Sequence, residues 1–407
     1  MATVSFFDLE IDPRKERVLD MGAIRSDESQ YHGNNFTELA NFLKGSDYLC
    51  GHNILSHDLR YLKIQYGEQF VNSIKPIDTL LLSPLFFPKQ PYHKLLKDEK
   101  LDAEELNNPL NDSKKARDLF FDEVNAFNQL PAQIQRIYFN LLHQTSGYAG
   151  FFYYLTYSHP LNTDDLEKEI RSALGPDHCA NADLSLLIQK QPVVLAYSIA
   201  LIRCDDRYSI TPPWVLRNFP EVERQLFLLR NNPCLPGCAY CEKALNPNAA
   251  LKRFFGFDAF REYDDKPLQE QAVQATVRGK SILAIFPTGG GKSITFQVPA
   301  LMSGENAKAL TVVISPLQSL MKDQVDNLER KYGITEAATI NGLLDPIDRC
   351  KTIERVEKGE VSLLYISPES LRSVTIERLL LKRKIARFVI DEAHCFSSWG
   401  QDFRVDY

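Results

Sequence analysis

The chain has 407 residues, a net charge of −6 at pH 7, 44% hydrophobic and 25% charged residues. That is an ordinary globular composition with room for two or three cores, and it carries no global basic field to draw nucleic acid, so any DNA binding must come from local patches. The start MATVSFFDLEID has no basic segment ahead of an apolar stretch, and no apolar run reaches bilayer-spanning length, which excludes a secreted or membrane-spanning reading. A cytoplasmic protein, with no membrane partner, is expected. In that reducing compartment the eight cysteines point to metal ligation before disulfides.

From Met1 to about Asp122, short apolar runs alternate with helical stretches. Thr3–Leu9, Val18–Ile24 and Tyr48–Cys50 read as strands, and Leu59–Tyr66 and Ala116–Val124 as helices. This alternation implies a mixed α/β sheet over residues 1–122. Asp8-Leu9-Glu10 ends the first strand, so Asp8 and Glu10 share one face. Asp58 closes the run Gly51–Asp58, and Asp112 falls at a helix start within Asn107–Phe120. Four acids gathered in one pocket can hold two Mg²⁺ or Mn²⁺ ions, which clamp both sides of an in-line attack on a phosphodiester.

Residues 123–248 read as mostly helical, with the spacing of buried faces in Ile134–Leu142 and Leu184–Ile188. The region ends in a Pro/Gly turn holding Cys234, Cys238 and Cys241. Three thiolates so close can converge on one metal, with Cys179 as the fourth ligand and His178 beside it. Cys204 suits the role less, because it ends an apolar helix. The ligands do not come as the two close pairs of common zinc fingers. One remote and three clustered cysteines also suit a [4Fe–4S] cluster. Zn²⁺ is the expected ion and the iron–sulfur cluster the alternative, and either would staple two distant segments. Buried cysteines without metal are the plainer reading. Trp214 is expected to pack the core of this helical region.

From residue 249 onward strands and helices alternate again. Ser281–Phe286, Leu310–Ile314, Val361–Ile366 and Ala386–Ile390 are short, apolar and β-branched, as buried parallel strands are. The first runs into Pro287–Ser293 and a helix starting near Ile294. Gly289, Gly290 and Gly291 let backbone N–H groups turn inward around phosphate oxygens, ahead of the positive end of that helix. In this loop, with Thr288, Lys292 is placed to reach the β- and γ-phosphates of ATP and the Ser293 hydroxyl to sit on Mg²⁺. A strict loop of this type would have glycine at Phe286. The strand Ala386–Ile390 delivers Asp391 and Glu392, the first to hold Mg²⁺ and the second to polarise the attacking water. The carboxyl ends of parallel strands are where such sheets bind ligands.

The stretch from Phe257 to Tyr407 resembles the first motor domain of RecQ-family ATP-dependent DNA helicases. The resemblance rests on Lys266–Glu270, Thr311–Leu328, Leu363–Leu371, the acidic box Asp391-Glu392-Ala393-His394 and the aromatic-rich loop Cys395–Arg404. It implies a RecA-like parallel-sheet domain over 249–407, 3′–5′ unwinding, and Gln269 as the reader of adenine. It also implies contacts from Phe396, Trp399 and Arg404 to single-stranded and branched or duplex DNA, since bases stack on aromatic rings whatever their sequence. Phe403 serves as well in a core. The second motor domain, with its arginine finger, falls beyond Tyr407, so this chain is expected to bind nucleotide without unwinding DNA.

Residues 1–122 resemble the DnaQ-like DEDD 3′–5′ exonucleases, on the order and spacing of Asp8-Leu9-Glu10, Leu19–Ile24, Gly51–Asp58 and Asn107–Phe120. That resemblance implies an RNase H-like sheet in which Asp8 bridges two metals, Glu10 and Asp112 hold one, and Asp58 holds the other. The family places a histidine five residues before its last aspartate, or a tyrosine four before. Here those positions are Asn107 and Asn108, and an amide cannot accept a proton near neutral pH. An active exonuclease and a metal-binding domain that only grips DNA both stay open. Together the two resemblances point to DNA repair or recombination, and to a nucleoid-associated protein.

Overall fold

The computed structural model describes residues 2–12, 14–72, 74–90, 108–204, 210–234, 237–287, 289–342 and 344–393. They fall into two compact units, one of residues 1–173 with 184–200, the other of 174–183 with 201–407. The helices between 123 and 248 are therefore divided between the two. Among the described residues no helix is long and apolar enough to cross a membrane.

The first unit is built on a mixed five-stranded sheet. Its strands are β1 (Val4–Asp12), β2 (Arg17–Arg25), β3 (Gln30–Gly33), β4 (Tyr48–Gly51) and β5 (Lys75–Asp78), in the order β3-β2-β1-β4-β5. β2 is antiparallel to β1 and β3, while β4 runs parallel to β1 and β5 to β4. The aromatic and β-branched start of β1 suits this central place. Period-two alternation sends Phe7 and Leu9 into a core with Leu39, Leu43 and Leu62. Phe6 points the other way, its ring 5.6 Å from that of Phe120 on the helix Pro109–Gln129. Fully burying one such side chain stabilises the fold by about 1.5–3 kcal/mol. Asp8 and Glu10 share the Phe6 face, so the strand that fills the core also turns two carboxylates toward that helix.

The second unit holds a parallel sheet of β6 (Leu310–Ile314), β7 (Ala337–Ile340), β8 (Leu363–Ile366) and β9 (Ile385–Ile390), in the order β7-β8-β6-β9. Three of the four strands expected here are present. The fourth, Ser281–Phe286, is not in the sheet: no strand among the described residues pairs with it, and Leu283 and Ile285 are 79% and 82% exposed. Its apolar pattern is that of a strand covered on both faces, yet it lies across an open cavity from β9, which is itself an edge strand with Phe388 and Ile390 exposed. The helix Ile294–Ala307 is buried along nearly its whole length, between the sheet and the helices Pro247–Phe255 and Leu268–Val277. That is why its sequence shows no polar face.

Gly22 fixes where the helix Pro109–Gln129 sits. A Cβ on Gly22 would stand 2.1 Å from the Leu110 nitrogen and 2.3 Å from the Pro109 carbonyl carbon, both backbone atoms that cannot rotate away. Ser113 Oγ then donates to the Gly22 carbonyl at 2.8 Å. Gly22→Ala should push this helix off β2 and destabilise the first unit by roughly 1–3 kcal/mol, the usual cost of overpacking. Urea unfolding monitored by circular dichroism measures it, and an unchanged midpoint would contradict the contact.

Candidate nucleotide, carboxylate and cysteine sites

The loop before the helix Ile294–Ala307 is held from behind by its carbonyls. Arg261 Nη1 donates to the Gly289 carbonyl at 3.0 Å, the Tyr263 hydroxyl to that of Gly290, and Gln269 Nε2 to that of Gly291 at 2.9 Å. Gly289 and Gly291 have φ of 75° and 70°, which glycine adopts without cost. The Gly290 N–H closes a turn onto the Pro287 carbonyl at 2.9 Å. Gln269 is buried, and its Oε1 accepts from the Arg261 N–H at 2.9 Å, so both ends of its amide brace the loop. Lys292 reaches across to β9: its Nζ stands 3.7 Å from Glu392 Oε1. Asp391 is set by its own N–H, which donates to the Ile314 carbonyl at 2.9 Å, and its Oδ1 accepts from the Glu392 N–H at 3.0 Å. Glu392 has φ of 52°, a left-handed conformation unusual for a residue with a side chain. The loop lysine and the acids at the end of β9 thus meet, as the sequence leads one to expect. Ser293 stands immediately ahead of the helix. Arg261 and Tyr263 were not foreseen, because nothing in their spacing marks a residue that grips a loop carbonyl.

Asp58, Asp112 and Glu10 lie near enough to Asp8 for their charges to act on its carboxyl. Asp58 is buried at the start of the helix Asp58–Tyr66, and its Oδ1 accepts from the Leu9 N–H of β1 at 3.1 Å. Burial, followed by the charges of Asp58, Asp112 and Glu10, pushes the Asp8 carboxyl up to about 8, with His57 opposing. Burial also raises Asp58, against a hydrogen bond with His57. Burial is the larger cause at both carboxyls, and the neighbouring negative charges add to it at Asp8. Asp112 lies in the first turn of the helix Pro109–Gln129, whose cap is Asn108: its side chain accepts from Leu110 and Asn111 N–H at 3.0 and 3.3 Å. That capping role accounts for an asparagine at this position. His57 Nδ1 lies 3.2 Å from Asp58 Oδ1, and this hydrogen bond raises the pKa of the imidazole. So His57, which sequence order alone cannot place, belongs to the acid cluster. His93 and Asn107 lie outside the described residues.

The second unit also gathers Cys179, Cys234, Cys238 and Cys241, whose sulfurs all lie within 4.8 Å of one another. His178 sits beside them, with Nδ1 3.0 Å from the Gly175 carbonyl. Cys204 is not one of the group. Trp214 is half-buried, its ring 5.8 Å from that of Phe219.

Residues 266–407 match the DEAD/DEAH box helicase family. The chain is 40% identical over 166 residues to ATP-dependent DNA helicase Q5 of Rattus norvegicus, covering 39% of this chain and 16% of that protein. It is 40% identical over 157 residues to the probable ATP-dependent DNA helicase RecS of Bacillus subtilis, covering 39% and 29%. It is 40% identical over 159 residues to ATP-dependent DNA helicase RecQ of Haemophilus influenzae, covering 39% and 24%. Residues 266–407 are a RecQ-type helicase domain. The chain spans less than a third of the length of these relatives. Lys292, Asp391 and Glu392 all fall within the helicase domain, whereas Arg261 and Tyr263 stand just ahead of it. Thr288, His394, Phe396, Trp399, Phe403 and Arg404 belong to the same stretch or its loop but lie outside the described residues. The four acids and the four cysteines all precede the helicase domain.

The raised Asp8 carboxyl makes stability depend on pH. The folded, metal-free protein keeps a proton up to about pH 8 that an aspartate at its ordinary 3.8 has already released. The folded state therefore binds more protons across that window, and stability falls as pH rises from 3.8 to about 8. Asp8→Asn should remove part of this slope, raising the melting temperature at pH 8 more than at pH 5 in the presence of a chelator. Equal shifts at both pH values would contradict the crowding of charge at Asp8.

Proposed function

We propose that this chain carries the nucleotide-binding half of an ATP-dependent 3′–5′ DNA helicase motor, joined to a two-metal 3′–5′ exonuclease, and works in DNA repair or recombination. The observation that carries the motor reading is the meeting of Lys292 with Glu392, at the junction of a glycine loop, a buried helix and the carboxyl end of a parallel strand. Lys292 binds the β- and γ-phosphates, leaving Glu392 for them when nucleotide arrives. Glu392, released, orients the attacking water. Ser293 and Asp391 offer a hydroxyl and a carboxylate, the hard oxygen donors that suit Mg²⁺. That ion, when bound, neutralises the charge developing on the phosphates. Gln269 exchanges its hold on the loop for the adenine edge. Phe396, Trp399 and Arg404 take the DNA strand, the rings by stacking and the guanidinium on phosphate. Lys292→Ala should weaken binding of a fluorescent ATP analogue at least tenfold, about 1.4 kcal/mol, as measured by fluorescence anisotropy. Unchanged affinity would rule out the loop as the phosphate site.

The exonuclease reading rests on the charges of Glu10, Asp58 and Asp112 acting on Asp8, beside a mixed sheet with strand order β3-β2-β1-β4-β5. That order supports an RNase H-like fold. Four carboxylates fit two Mg²⁺ or Mn²⁺ ions, which when bound activate water and steady the leaving oxygen. Asp8, Glu10, Asp58 and Asp112 would hold them, and His57, bonded to Asp58, is the candidate base in place of the family histidine. The alternative is a domain that grips DNA and cuts slowly, and it draws on the same Asn107 and Asn108. Incubating a 3′-labelled oligonucleotide with Mn²⁺ separates the two. Stepwise shortening that Asp8→Ala reduces by at least a hundredfold is expected, and an intact label under both Mg²⁺ and Mn²⁺ would leave only the gripping domain.

A further inference from the structure

The four clustered cysteines have sulfurs within 4.8 Å of one another, although Cys179 is remote in sequence from the other three. A zinc–sulfur bond of about 2.3 Å sets the four sulfurs of a tetrahedral site about 3.8 Å apart. The observed group is close to that size. A [4Fe–4S] cube, the other choice the cysteine spacing allows, gives every thiolate its own iron at a separate corner, and so spreads the four sulfurs much wider. None of the four is in a disulfide. Two sulfurs already receive N–H donors: Ala180 N–H points at Cys238 Sγ at 3.4 Å, and Asn181 Nδ2 at Cys234 Sγ at 3.3 Å. Such donors are the usual outer partners of metal-bound thiolates.

The surroundings show what the group would hold together. Cys179 N–H donates to the Leu229 carbonyl at 2.7 Å. The next residue, Arg230, is buried, and its guanidinium donates both to the Asp177 carbonyl and to the Asn306 carbonyl, each at 2.6 Å. Tyr240, between Cys238 and Cys241, donates its hydroxyl to the Arg230 carbonyl at 2.9 Å. Asn306 Nδ2 in turn donates to the Ala244 carbonyl at 3.1 Å. Asn306 lies in the last turn of Ile294–Ala307, the helix that begins at the phosphate loop. Around the cysteines the buried apolar side chains are few, Tyr240 and Leu245 with Ala182 and Ala244 against them. So small a core needs a further tie.

We propose that Cys179, Cys234, Cys238 and Cys241 bind one tetrahedral ion of the zinc class, and that this knot clamps the C-terminal end of the phosphate-loop helix. The proposal goes beyond the helicase reading and holds whether or not the protein hydrolyses ATP. Elemental analysis of the protein, purified without chelator or metal-affinity resin, tests the first half directly. About one zinc per chain and no acid-labile sulfide are expected. Four irons with sulfide, or no metal with titratable thiols, would overturn it. Cobalt supplied in place of zinc should give the visible bands of a tetrahedral tetrathiolate, and Cys238→Ser should lose them; because the wild-type metal content stands alone, a poorly folding variant does not blunt the test. For the second half, removing the metal should speed amide exchange in residues 303–309 at least tenfold while leaving β1 and β4 unchanged. Exchange at 303–309 that stays the same once the metal is gone would overturn the clamp.

Discussion

A helix buried along nearly its whole length must find protein partners for the polar groups that water does not reach. The helix Ile294–Ala307 is such an element, and much of the second unit is arranged around its two ends. At the first, the Arg261, Tyr263 and Gln269 side chains hold the carbonyls of Gly289, Gly290 and Gly291, around a turn closed by the Gly290 N–H on the Pro287 carbonyl at 2.9 Å. At the other, Lys308 takes a left-handed conformation and its N–H returns to the Gly304 carbonyl. The Asn306 backbone and side chain bond to Arg230 and Ala244. Gly304 lets β8 approach, since a Cβ there would stand 1.8 Å from Ser362 Oγ. The helix thus runs from a candidate phosphate site at one end to the cysteine group at the other.

In the first unit the governing constraint is charge. A strand that fills a hydrophobic core is a poor place for two carboxylates, and the helix bearing Asp112 adds a third to the same face. Asp58, buried behind them, is tolerated because the Leu9 N–H and His57 both bond to it. Burying Asp8 among these charges costs the first unit stability at neutral pH.

The sequence made much of this visible, for a physical reason. β1, β2 and β6 carry apolar, β-branched runs, and β4 an apolar one, whose pattern leaves little choice. Asp8 with Glu10, and Asp391 with Glu392, follow from strand geometry, since a residue at the end of a strand has a defined face. The three close cysteines announced their own grouping. What depended on partners distant in sequence was hidden. Ser281–Phe286 has the composition of a strand, but a strand exists only through its neighbours, and the described residues supply none. Arg261 and Tyr263 act on backbone carbonyls, which no side-chain motif records. His57 was visible as a residue and not as a member of the site, because its bond to Asp58 depends on how the chain enters a helix.

The open edge of β9 bears on how the protein behaves in solution. Its row of backbone donors and acceptors faces a cavity, with Phe388 and Ile390 exposed beside it and Leu283 and Ile285 exposed opposite. Natural sheets usually blunt such an edge with charge, proline or a covering loop. An uncovered one is a template on which any extended apolar chain can lie down. Among the described residues nothing covers this edge, so an extended apolar segment of another molecule would meet backbone groups already aligned for pairing.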